Sequence, residues 1–108
     1  MSVKGALGFA FIMLSASSAM AGEWRYCLAP SQAEHKIYMT APFSVNAGAD
    51  DSEARFDDAL GGMHLRHDDV QCPHSNDEAS AVADKQYAVE FNRKSGNQVV
   101  NLRWPPDR

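Results

Sequence analysis

The chain has 108 residues, 44% of them hydrophobic, and a formal net charge of −4, which bounds it to one small domain. That negative balance argues against a nucleic-acid partner, because a phosphate backbone selects a basic face. Apart from its first residues, no stretch approaches the run of roughly 20 apolar residues that a spanning helix needs.

Residues 1–21, MSVKGALGFAFIMLSASSAMA, read as a secretory signal peptide. Lys4 supplies the positive start, Ala6 to Leu14 the apolar run and Ala19-Met20-Ala21 the small-x-small cleavage site. Ser15, Ser17 and Ser18 cut the apolar run short of a membrane span. The mature domain is then 22–108, periplasmic or secreted. Without Lys4 it holds nine Lys and Arg against fourteen Asp and Glu, an acidity that suits a cationic protein as partner.

"EWRYCLA", Glu23 to Ala29, alternates Trp24, Tyr26 and Leu28 with Arg25, Cys27 and Ala29, the period of a strand, and Pro30-Ser31 breaks it. "HKIYMT", His35 to Thr40, predicts a second strand antiparallel to the first, ended by Pro42, and "SVNAGADD" is loop chemistry. Asp50 with Glu53 forms a variant capping box. The helix that follows carries Phe56, Ala59, Leu60 and Met63 at helical spacing, and Gly61-Gly62 is expected to close it.

"DDVQC" predicts a short strand ending at Cys72. Ser75 to Glu78 is a capping box for a second helix over about 76–93, with Ala79, Val82, Ala83, Tyr87 and Val89 on an arc of about 160°. Ser95-Gly96-Asn97 is a turn, and "QVVNLRW" a last strand with Val100, Leu102 and Trp104 on one face, stopped by Pro105-Pro106. The expected fold is α+β: a small two-layer sandwich, a mixed or antiparallel sheet of three to four strands, two helices covering one face and one disulfide. Trp24, Tyr26, Phe56 and Trp104 are the expected core.

The segment "HLRHDDVQCPH", His64 to His74, concentrates three histidines and a cysteine and admits three readings. The first is a metal site, since imidazole and thiolate are donors for zinc or copper; His64, His67, Cys72 and His74 do not follow an established ligand spacing, and an oxidised Cys72 would leave only His64, His67 and His74. The second is a reactive thiol. Cys72-Pro73-His74-Ser75 resembles the Cys-Pro-His-Cys site of thioredoxin-like periplasmic oxidoreductases, and a thiolate before a helix amino end is stabilised there. The resolving cysteine is replaced by Ser75, however, and the single strand feeding such a site is missing.

The third reading is structural. Cys27 and Cys72 travel together to an oxidising compartment and admit a single intramolecular pairing. Closing so long a loop contributes about 4 kcal/mol in the chain-entropy model, comparable with the net stability of a small domain. This reading is preferred.

The paired carboxylates Asp50/Asp51, Asp57/Asp58 and Asp68/Asp69 are sequence neighbours and do not face one another on a helix or strand. There is no Gly-rich phosphate loop and no nucleophile elbow. A non-enzymatic protein that uses no cofactor is therefore expected, a binding or accessory module whose partner surface draws on Tyr38, Phe43, Asp50, Asp51, Asp57 and Asp58. Periplasmic metal handling or thiol activity through the His64 to His74 segment is the alternative. With "WRYCLA", "IYMTAPF", "VQCP", "EASAVADKQYAVEF" and "VVNLRWPP" in this order, most of the mature chain resembles small exported bacterial proteins of unknown function, a likeness of strand and cysteine layout that implies an exported domain and no catalytic residue.

Overall fold

The stretch Glu23 to Ala29, expected as one strand, is divided at Tyr26-Cys27 between two sheets. The computed structural model describes residues 23–46 and 50–106, so the expected signal peptide lies outside the described residues. In chain order the elements are β1 (Glu23–Arg25), β2 (Leu28–Ser31), a 3-10 turn (Gln32–Glu34), β3 (Lys36–Thr40), β4 (Phe43–Val45), α1 (Ser52–Gly62), β5 (His74–Ser75), α2 (Glu78–Lys94) and β6 (Gln98–Leu102). One sheet has the order β4-β1-β5 and the other β2-β3-β6. The first is antiparallel throughout; in the second, β3 pairs antiparallel with β2 and parallel with β6. A parallel neighbour needs a long crossover, and α1, β5 and α2 all lie within it.

The class is α+β with two helices and one disulfide, as expected. The layering differs from a sheet covered on one face. Side chains alternate along a strand, and β3 is buried on both sides. Tyr38 joins Ala29, Val100 and Leu102 in a cluster with Phe56 and Leu60 of α1, whereas Ile37 and Met39 join Leu28 and Val99 in a cluster with Ala88 and Val89 of α2. The two helices therefore pack on opposite faces of β2-β3-β6. Tyr26 and Phe56 are buried as expected, and Trp104 packs half-buried against the first cluster.

The ends of α1 differ from the expected caps. Asp50 Oδ1 accepts from the Ser52 N–H at 3.0 Å and from the Ser52 hydroxyl, while Glu53 leaves its own helix and accepts from the Cys72 N–H at 3.1 Å. Gly61 and Gly62 remain inside the helix. The stop is made by His64, which takes φ 59°; the Leu65 N–H reaches the Leu60 carbonyl and the His64 N–H the Gly61 carbonyl, both at 3.0 Å. That pair of bonds is a Schellman cap. Leu65 then packs on the core cluster that contains Leu60.

α2 begins two residues later than expected. Asp77, not Ser75, caps it by accepting from the Ser80 N–H at 2.8 Å, and Ser75 belongs to β5, donating to Asp84 at 3.0 Å. The expected apolar arc is also displaced. Ala81 is buried and Ala88 and Val89 are half-buried, but Ala79, Val82, Ala83 and Tyr87 are exposed. The small side chains of Ala81 and Ala88 face the packed side of the helix, and the larger Val82 and Tyr87 face solvent. Gly96, at φ +91°, makes the turn into β6 in a conformation that a side chain would strain. Ser44 and Val45, which read as the start of a loop, form β4 with Phe43, while the strand expected at "DDVQC" contracts to a single pairing of Gln71 with Leu28.

Candidate functional site

Cys27 and Cys72 are bridged with an S–S distance of 2.02 Å across a separation of 45 residues, and both are buried. No free cysteine remains, so Cys72 offers no thiolate to a metal or a redox partner. The bridge sits under a polar cluster centred on Arg25. Its Nη1 donates to the Cys72 carbonyl at 2.5 Å, its Nε meets the Asp50 carboxylate, and its Nη2 donates to Nε2 of His74 at 2.5 Å. With Nε2 accepting, the imidazole carries its hydrogen on Nδ1, which faces Glu23 Oε1 at 3.2 Å. Strand pairing sets this arrangement, because Arg25 and His74 are direct partners in β1 and β5.

The Arg25 and Asp50 side chains are only 11% and 6% exposed. Burial pushes the Asp50 carboxyl up, but the two hydrogen bonds from Ser52 and the charge of Arg25 outweigh it and hold the group below its ordinary value. A charge withdrawn this far from water is costly unless it is paired. The strand period of Glu23 to Ala29 sets Arg25 opposite the apolar face of Trp24, Tyr26 and Leu28, so its burial was not signalled in the sequence. The partners themselves, Asp50 and His74, come from distant chain segments and were not legible.

Among the described residues, one group of three or more candidate metal donors comes together, Glu23, Asp50 and His74, with donor atoms within 4.8 Å of one another. The expected set of His64, His67 and His74 does not converge. His64 is exposed, in the left-handed position just after the α1 cap. His67 donates from Nδ1 to the Leu65 carbonyl at 2.9 Å and pairs through Nε2 with Asp57 at 2.6 Å. The Asp57 contact, then the Leu65 carbonyl, pushes its pKa up. Each histidine is thus committed to a separate local task. In the Glu23, Asp50 and His74 group the Arg25 guanidinium already lies against two of the three donors, so a divalent ion would have to displace an intramolecular cation.

The expected partner surface is also rearranged. Tyr38 and Phe43 are each 3% exposed and belong to the core, because β3 is covered on both faces and Phe43 packs edge-on to Trp104 at 5.7 Å between ring centroids. Asp50 is bound to Arg25. Asp51, Asp57 and Asp58 do stand on the solvent side of α1. A cleft of about 290 Å³ opens between β4 and the start of α1, lined among others by Asp51, Arg55, Trp104 and Pro105. The Arg55 guanidinium lies 5.8 Å from the Trp104 ring centroid and 3.9 Å from Asp51. Trp104 was foreseen as a core residue, and its role as a cleft wall was not.

Comparison of the chain with protein-family models, with curated proteins and with solved structures finds no match. Among the described residues, no helix is long and apolar enough to cross a membrane.

Proposed function

We propose that this protein is an exported, non-enzymatic binding module, periplasmic or secreted, that takes a cationic segment of a partner protein in the cleft between β4 and α1. The reading rests on one observation: the cleft sets the indole of Trp104 near the carboxylate of Asp51, a cation-binding pair that the chain's own Arg55 occupies and that an incoming cation would take by displacing it. A cation over an aromatic face next to a carboxylate is a favourable arrangement, and the exposed Asp58 adds negative charge on α1. Export is supported by the amino-terminal sequence and by a buried disulfide, which suits an oxidising compartment. The layout shared with small exported bacterial proteins of unknown function points the same way.

The test is a titration with a defined probe. In a Trp24→Phe background, which leaves Trp104 as the single tryptophan, a tetra-arginine peptide should change the fluorescence saturably and tetra-glutamate should not. Asp51→Lys should abolish the saturable change. No saturation with tetra-arginine at millimolar concentration, or an unaltered response in Asp51→Lys, would refute the proposal.

A further inference from the structure

α2 presents a second surface, unrelated to the cleft. Tyr87 is 74% and Phe91 61% exposed, one helical turn apart, and large exposed aromatics concentrated on one face mark an interaction site. At about 100° per residue, Asp84, Tyr87, Phe91 and Lys94 fall within an arc of about 80°. All four are exposed. The residues that pack inward, Ala81, Ala88, Val89 and Asn92, lie on a different side of the helix.

The order of these four residues is self-complementary. Tyr87 and Phe91 stand equally far on either side of Val89 along the helix, and so do Asp84 and Lys94. A two-fold axis at the level of Val89, perpendicular to the helix, would place a second α2 antiparallel to the first. Tyr87 would then meet Phe91 of the second copy at the centre, and each Asp84 would meet a Lys94 at the ends. Such a contact is isologous and closes after two subunits. A parallel pairing has no such match, because it sets Asp84 against Asp84 and Lys94 against Lys94.

We infer that this face of α2 binds a second copy of the chain, forming an antiparallel two-fold dimer with an aromatic centre and reciprocal Asp84 to Lys94 ion pairs. A contact through one helix from each subunit falls at the small end of specific interfaces. The expected dissociation constant is accordingly on the order of 10–100 μM. The inference does not depend on the cleft, so either reading can fail alone.

Sedimentation velocity of the mature protein from about 10 μM to about 1 mM should show a mass rising from monomer towards dimer. Tyr87→Ser with Phe91→Ser should weaken association at least about tenfold without unfolding the protein, since both side chains are exposed. Lys94→Asp should weaken it about fivefold, and adding Asp84→Lys to that variant should restore most of the loss. Circular dichroism of each variant checks that α2 is intact, because Asp84 also accepts from Ser75. A monomer at every concentration, assembly beyond the dimer, or association indifferent to the aromatic pair would overturn the inference, as would a charge exchange that fails to rescue.

Discussion

Arg25 donates to the backbone carbonyl of Cys72, so the chain two residues before one end of the disulfide is hydrogen-bonded to its other end. Glu53 completes the grip from α1 by accepting from the Cys72 N–H. The bridge is thus held by two elements, β1 and α1, as well as by its own covalent bond, and Arg25 is the residue on which the polar part depends.

Replacing Arg25 by Ala leaves Asp50 buried without its cation and should cost about 3 kcal/mol, the loss expected for one half of a buried pair. Asp50→Asn in the Arg25→Ala background should recover part of it, because the stranded charge is then gone. Urea denaturation of the two variants measures both, and equal stability of Arg25→Ala and wild type would show that the cluster is solvated.

The disulfide contributes independently. Cys27→Ala with Cys72→Ala should lower stability by about 2–5 kcal/mol. The oxidised protein should give no thiol signal in denaturant, and two reactive thiols there would contradict the bridge.

His64 offers the opposite change. It holds a left-handed conformation as the residue after the α1 cap, where glycine has no side-chain penalty. His64→Gly should therefore raise stability by about 0.5–1 kcal/mol, seen as a higher urea midpoint with an unchanged slope. A destabilised variant would mean that the exposed imidazole makes a contact of its own.

Two titrating groups act on stability in opposite senses. The Asp50 pKa is lowered from 3.8, so its contribution is present above that value and is lost as pH falls through the folded-state pKa. The His67 pKa is raised from 6.5, so its contribution is full below 6.5 and is lost as pH rises through the folded-state pKa. Stability should accordingly be greatest between the two. Asp57→Asn should flatten the alkaline side of the profile and move the His67 imidazole resonance titration towards lower pH, and an unmoved titration would exclude the pair as its cause.

How much of this was legible follows from what each residue depends on. The strand alternation of Ile37 and Met39, the helical spacing of Phe56 and Leu60 and the pairing of the two cysteines are local or compositional facts, and they appear in the structure as the sequence predicts. The cap at Ser75 failed because Asp77 offers a competing acceptor nearer the helix and Ser75 pairs across to Trp24 in β1. Of the expected α2 face only Val89 packs inward, joined by the small Ala81 and Ala88, because periodicity ranks residues by hydrophobicity and does not place the helix against its neighbours.

By itself the sequence determined the class, the two helices, the covalent link and the acidity of the surface, because each follows from neighbours in the chain or from counts. Only the tertiary structure decided that Arg25, Asp50 and His74 meet, that β3 is covered on both faces, that Tyr38 and Phe43 are core, and that Tyr87 and Phe91 face solvent. Those outcomes depend on strand register and on which helix takes which side of a sheet. Both are contacts between distant segments, and no local pattern encodes them.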